Sequence, residues 1–317
     1  MTDKTASTDI QTVRAIVFPG GFNWPIFVAQ DLGLFTAHGL EVEVVPTTNS
    51  KQQMAGLIDG AYDIAMTAID NVFAYNSGQG EAPTESESDL VAVMGADSGF
   101  LHLMGVPGAG PISALKGRRI GVDALTTGYA FVLLRMLELA GVKRTDVEFV
   151  EAGGVMARFE ALMQQKFDAT LLVSPFDAAA EKKGFARLGS GLDTLGAYQG
   201  VVAAVRRQWA AENRDCVTGY IAAWREALDW LFDPANKQAA IALLQEHLPN
   251  MESAVAEISY GILLDPDFGF YRDAALNLAG AKTALELRRD YGSPDAELGG
   301  IEDHVDTSYH ETAAETD

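Results

Sequence analysis

Apolar strands and amphipathic helices alternate along most of this chain, and that alternation restricts its fold more than any other feature. "VRAIVF" reads as a strand, "WPIFVAQDLGLFTAHG" as a helix closed by Gly39, "LEVEVVPT" as a strand with its glutamates on one face, and "SKQQMAGLIDG" as a second helix. Short strands follow at "DIAMTA" and "DLVAVMGAD". Strands spaced by helices pair in parallel through helical crossovers, so the expected class is α/β, a mainly parallel sheet with helices on both faces. The polar stretch "NSGQGEAPTESESD", Asn76 to Asp89, reads as a surface loop. After "FLHLMGVPGAGPISALKG" the pattern restarts with "RRIGVDA", "TGYAFVLLRMLELAGV", "DVEFVEA", "ARFEALMQQKF" and "DATLLVS", so a second α/β unit begins near Gly105. From Asp215 onward the pattern is helical, through "YIAAWREALDWLF", "PANKQAAIALLQEHL", "MESAVAEISYGIL" and "RDAALNLAGAKTALELRRDYG", and no strand of convincing length follows Val205. The acidic tail "HETAAETD" is expected to be disordered.

Composition limits what such a chain can bind. Its 317 residues, 48% hydrophobic and 21% charged, supply material for one large or two medium cores, and two lobes is the better expectation. A net charge of −21 repels nucleic-acid backbones and anionic membrane surfaces, so neither is an expected partner. The single cysteine, Cys216, excludes an internal disulfide and a cysteine-based zinc site; its helical surroundings, "ENRDCVTGYIAAWREALDWL", make it a buried structural thiol. No motif calls for a cofactor or a metal. The first residues, "MTDKTASTDIQTVRAIVF", lack the basic and apolar regions of a secretory signal, and no apolar run approaches the ~20 residues that span a bilayer. Complete as written, the chain is cytoplasmic; with a signal already removed, it is periplasmic or otherwise extracytoplasmic.

The junction between the first strand and first helix is chemically unusual. Gly20 and Gly21 permit close backbone approach, Phe22 follows them, Asn23 offers donors and acceptors, and Trp24 offers a stacking face. A turn of this kind either meets a ligand or packs its tryptophan into the core. Asp70 and Asn71 fall where a strand gives way to a helix, and ligands of open α/β sheets gather at the carboxyl ends of strands; helix capping explains Asp70 equally well. Thr126, Thr127 and Gly128 open a helix after a strand, where free N–H groups and hydroxyls meet a ligand, although capping also selects threonine.

Taken in order, "GGFNWPIFVAQDLGLFTAHGLEVEVV", "LIDGAYDIAMTAIDNVFAY", "GVDALTTGYAFVLLRMLELAGV" and "EALMQQKFDATLLVSPFDAAAEKKGF" are similar to the type II periplasmic binding proteins. The likeness is to the branch that serves nitrate, sulfonate, taurine and thiamin-precursor uptake. Each motif is weak alone; their order and spacing are the specific part. The resemblance implies two α/β lobes joined by crossing strands. Lobe one would be residues 1–103 with 203–317, lobe two 104–202, and a ligand would be held in the cleft between them. It implies a substrate-binding component of an ABC importer, with a small molecule and an ABC permease as partners, and hinge closure about the ligand. The Gly-Gly-Phe-Asn-Trp turn would then be lobe one's contribution to the cleft. By the same resemblance Asp97, Ser98 and Phe100 precede the first crossing, and Pro175, Phe176, Asp177, Tyr198 and Gln199 lie near the cleft on lobe two.

The expected ligand residues are therefore Gly21, Phe22, Asn23, Trp24, Asp70, Asn71, Asp97, Phe100, Asp123, Thr126, Thr127, Gly128, Tyr129, Phe176 and Tyr198. Aromatic rings and carboxylates dominate, and no arginine stands at these loop positions, whereas a free oxyanion favours a guanidinium. An aromatic, heteroaromatic or amine-bearing solute fits better, with Arg158 and Lys51 able to reach in from neighbouring helices. The chain has no nucleophile elbow, no phosphate-binding Walker loop and no zinc-protease motif among its five scattered histidines. The alternative is a cytoplasmic lyase or decarboxylase on the same fold, acting on a small aromatic or organic acid, for which Asp70, Asp97 and His102 are the acid/base candidates.

Overall fold

The computed structural model describes residues 10–315. The N-terminal reading for "MTDKTASTD" and the last two residues of the acidic tail lie outside them. The first sheet is built from β1 (Gln11–Val17), α1 (Trp24–Asp31), α2 (Leu34–Ala37), β2 (Leu40–Pro46), α3 (Ser50–Ile58), β3 (Ile64–Ala68), α4 (Ile69–Asn76) and β4 (Leu90–Gly95). The chain then crosses to a second unit: β5 (His102–Gly105), β6 (Arg119–Val122), α5 (Gly128–Leu139), β7 (Glu148–Glu151), α6 (Val155–Met163), β8 (Ala169–Leu172), α7 (Phe176–Lys182), β9 (Ala186–Ser190) and α8 (Gly191–Leu195). It returns through β10 (Val201–Arg206) and ends in α9 (Arg207–Glu212), α10 (Arg214–Phe232), α11 (Lys237–His247), α12 (Ser253–Leu263), α13 (Leu278–Tyr291) and α14 (Ser308–Ala314).

Two five-stranded sheets result, ordered β2-β1-β3-β10-β4 and β7-β6-β8-β5-β9. β1 pairs in parallel with β2 and β3, and β6 with β7 and β8. The strand that has just crossed over runs antiparallel in each sheet: β10 between β3 and β4, β5 between β8 and β9. This is the two-lobed α/β architecture expected, with one reversed strand per lobe that the helix–strand pattern cannot announce.

Burial follows the sequence pattern. Every residue of β4 is buried, as its unbroken apolar run requires, whereas β2 at the sheet edge alternates and turns Glu41 and Glu43 to solvent. The amphipathic α10 lays Tyr220, Trp224 and Leu228 into the core, and Tyr220 stacks on Phe35. Cys216 is the expected buried thiol, donating from Sγ to Gln11 Oε1.

Three expectations need correction. The first helix is split, because Gly33 takes a left-handed φ of 70° and restarts the chain as α2. The helix expected from Arg272 starts only at Leu278, where the Asn277 side chain caps it by accepting from Gly280 N. The tail is ordered as far as it is described: α14 buries Tyr309 and Ala313 against α10, and Arg214 lies over the Tyr309 ring. Two apolar anchors one turn apart outweigh the tail's acidic composition.

Candidate functional site

The carboxyl ends of β1 and β3 in one lobe face those of β6 and β8 in the other, and the crossing segments close the back. Between them lies a cavity of about 110 Å³. Phe18 follows the last residue of β1, and Phe22 sits in the turn beyond it; Thr67 and Ala68 end β3, and Asn71 lies in the first turn of α4. From the other lobe come Asp123 after β6, the first turn of α5 with Thr127, Gly128 and Tyr129, and Arg158 from α6. Asp97 and Phe100 come from the first crossing. The wall is mostly hydrocarbon and aromatic ring, with few polar groups, which is the usual make-up of a small-molecule site.

Those polar groups are placed asymmetrically. Asp97 is fully buried, and its Oδ1 accepts from Gly99 N at 2.8 Å and Val201 N at 3.0 Å, while Oδ2 has no partner. Burial penalises the charged form and pushes this carboxyl up to about 7, despite the two backbone donors that pull it down. Asp123 is also raised by burial, with the Arg158 charge opposing the shift. Arg158 is lowered by burial; it donates from Nη1 to Gly153 O at 2.8 Å and reaches Leu171 O through Nε and Nη2, both at 3.4 Å. A guanidinium carries five N–H donors, so two remain for another acceptor. Tyr129 is raised chiefly by burial and further by the Asp97 charge. Thr127 caps α5, accepting at Oγ1 from Ala130 N and donating to Ala124 O, and the first N–H groups of that helix lack helical acceptors.

Of the sequence candidates, the structure brings Phe22, Asn71, Asp97, Phe100, Asp123, Thr127, Gly128 and Tyr129 together around this cavity, with Arg158. The others lie elsewhere. Trp24 is fully buried in the core, edge-on to Tyr260, so it presents no stacking face. Asn23 is buried beneath the turn and donates to Phe18 O at 2.6 Å. Gly21 faces the backbone of Ser174, where an added Cβ would sit 3.3 Å from that carbonyl oxygen; it eases contact between the lobes. Phe176 packs on Phe159 inside lobe two, and Tyr198 is buried behind Tyr129, 6.5 Å away between ring centroids. Lys51 pairs with Glu81 at 3.1 Å.

The alternative acid/base trio does not assemble. Asp70 is buried in a two-armed pair with Arg288, both contacts at 2.6 Å, and Thr126 is exposed with its carbonyl accepting from the same guanidinium. His102 is tied at Nδ1 to buried Asp177 Oδ2, 2.6 Å away, and its Nε2 faces Arg187 at 3.3 Å. His102 lines a separate, more open hollow between residues 187–193 and 261–268. Sequence reasoning missed Phe18, Ser50, Thr67, Gly154 and Val155. The strand–glycine–helix junction at Gly153-Gly154 repeats the grammar of the Gly20-Gly21 turn, and that signal was available.

A family model described as NMT1/THI5 like matches residues 23–237, well over half of the chain. The chain belongs to the NMT1/THI5-like family. No curated protein sequence matches the chain. Among solved structures, the periplasmic nitrate-binding protein NrtA from Synechocystis PCC 6803 is similar at a TM-score of 0.84 and 12% identity, over 97% of this chain and 89% of that one. The ligand-binding component of an ABC-type import system from Staphylococcus aureus, with zinc bound, gives 0.76 and 16% over 96% and 99% of the two chains. The desulfurization enzyme DSZB gives 0.68 and 14% over 96% and 99%. These likenesses establish the fold, which this family member shares with binding proteins and with an enzyme.

Proposed function

We propose that this chain is the solute-binding component of an ABC-type importer, acting outside the cytoplasm and delivering its solute to a permease. The observation that carries the reading is the cavity at the seam of the two lobes, whose polar groups come from both lobes and from the crossing between them. On this reading residues 1–103 with 203–317 form one jaw and 104–202 the other. The solute stabilises their closed arrangement by contacting both. The family membership and the likeness to an ABC import component support it.

The lining also supports a solute class. The orphan Oδ2 of Asp97 calls for a donor, the spare N–H groups of Arg158 call for an acceptor, and rings of Phe18, Phe22, Phe100 and Tyr129 border the space between. With both carboxyls ionised, two negative charges against one guanidinium disfavour a bare anion such as nitrate or a sulfonate. A small heteroaromatic amine, with an N–H for Asp97 and a ring-nitrogen lone pair for Arg158, satisfies every group named, and an aromatic amine satisfies the carboxyl and the rings.

A second reading has one observation in its favour: a buried carboxyl near neutrality, as in Asp97, is suited to proton transfer in a lyase or decarboxylase. A thermal-shift panel of aromatic amines, aminopyrimidines, aromatic acids, alkanesulfonates and nitrate, followed by mass spectrometry of each hit after long incubation, separates the two. A ligand that binds only the native state raises the melting temperature. The expected result is a shift with an amine-bearing ring recovered intact. A shift with nitrate or sulfonate alone sinks the solute class, and a product that has lost carbon dioxide or water sinks the importer reading.

A further inference from the structure

We propose that α13 is a clasp between the lobes, and that Arg288 positions the Thr126–Gly128 loop of the cavity. The helix starts on the return crossing. A Cβ at Gly280 would overlap the backbone of Tyr198 and Gln199, so only glycine lets α13 lie this close, and Asn277 N donates to Gln199 Oε1 at 2.9 Å. Farther along, Arg288 is buried and gathers groups from both lobes. Its Nε and Nη2 hold the two oxygens of Asp70 on α4, each at 2.6 Å, and Nη1 reaches Gln79 Oε1 at 3.2 Å. Nη2 also donates to Thr126 O at 2.9 Å, and the guanidinium lies 5.0 Å over the ring of Phe131 on α5. Asp70 and Gln79 belong to lobe one; Thr126 and Phe131 belong to lobe two.

Three further features extend the clasp. Gly128 meets Asp70 so closely that a Cβ there would overlap the aspartate side chain, so the loop is seated directly on the ion pair. At the outer end Arg135 of α5 donates to Asp290 at 2.5 Å and to Tyr291 Oη at 3.0 Å, while Tyr291 donates to Glu138. Phe131 and Tyr291 pack with ring centroids 6.1 Å apart.

None of Arg288, Asp70, Phe131, Arg135 and Tyr291 lines the cavity. Their effect on binding therefore passes through Thr127 and Gly128, which do. Separating the lobes strips Thr126 O of its buried donor and bares the Phe131 face, so the clasp biases the chain towards closure through its own groups. A closed-biased protein loses less affinity to the population of its incompetent form. The consequence for affinity rests on the inter-lobe cavity being the solute site; closure itself does not.

The test therefore uses the ligand-free protein. Spin labels on Glu43→Cys and Glu148→Cys, in a Cys216→Ser background, report the distance between exposed positions on the two lobes. The wild-type background should give one narrow distribution. Arg288→Lys, which keeps the charge facing Asp70 and loses the planar fork, should raise a longer-distance population severalfold. The double variant Arg135→Ala, Tyr291→Phe loosens only the outer end, keeps the buried pair, and should do the same to a smaller extent. Leu228→Ala, a core truncation remote from the clasp, is the control for lost stability and should leave the distribution unchanged. If Arg288→Lys does not fold, the double variant decides alone. Distributions matching wild type in the folded clasp variants, an equal shift in the control, or a wild-type protein that is already mainly open would each overturn the proposal.

Discussion

Asp97 is fully buried at the cavity wall, and only one of its two oxygens is served by the chain. Its folded pKa, raised to about 7 from a usual 3.8, fixes the sign of its effect on stability. Between those values the native state holds the proton and the unfolded state does not, so this group's contribution grows as pH falls from about 7 towards 4. Above 7 the carboxylate is charged in both states and the burial cost is felt in full. Asp97→Asn can still accept from Gly99 and Val201. It should therefore remove this pH dependence, on the order of 4 kcal/mol across the window. Urea unfolding of both proteins at pH 5 and pH 8 samples the upper two units of that window, about 3 kcal/mol, and a wild-type advantage that does not grow at pH 5 would refute the assignment. Trp24 is the contrasting case. Buried against Tyr260, it behaves as core, so Trp24→Ala should cost about 3–5 kcal/mol of stability. Phe22→Ala, at the cavity wall, should change the thermal shift by a bound solute more than it changes folding. The two aromatics are two residues apart in one turn, and the sequence shows that a ring sits there without showing which way it points.

At the scale of elements the sequence was legible wherever one period ran long enough. The strands "VRAIVF", "LEVEVV" and "DLVAVM" and the helices α5, α10 and α11 fall where their apolar spacing puts them. Strand direction was not legible. β5 and β10 run antiparallel because each arrives from the other lobe, a fact of topology rather than of local pattern. The cavity was half legible for the same reason: Thr127 and Gly128 announce themselves by a strand–helix junction, whereas which of Arg158 and Lys51 reaches in from its helix depends on how the lobes face each other, and only Arg158 does. Glycines give a sharp element-level prediction. Gly128→Ala forces a methyl into Asp70 at the head of α5 and should cost about 1–3 kcal/mol. Gly261→Ala lies within α12 with nothing inside 4 Å of the new methyl, and should instead stabilise by up to about 1 kcal/mol. Chemical denaturation of the two variants should move in opposite directions; a shared sign would mean that the packing around α5 or α12 is not as described.

For the molecule as a whole, charge becomes the governing quantity. Forty-four acidic side chains against twenty-three basic ones leave a net −21, and many ion pairs, such as Lys51 with Glu81 and Lys182 with Glu252, sit at the surface where they contribute little. Self-repulsion of the folded chain should therefore outweigh its surface pairs. Raising salt from about 10 mM to about 500 mM shortens the Debye length from roughly 30 Å to a few ångströms. The melting temperature at neutral pH should rise accordingly. The same field acts on the solute. A cationic amine should be drawn towards the cavity mouth, and its association rate should fall as salt is added. An anion of similar size should associate more slowly at low salt and gain from screening. Stopped-flow measurement on the best thermal-shift hit at two salt concentrations reads the sign. A rate that rises with salt would point to an anionic solute, and the donor demanded by Asp97 would then have to be met by something other than an ammonium group.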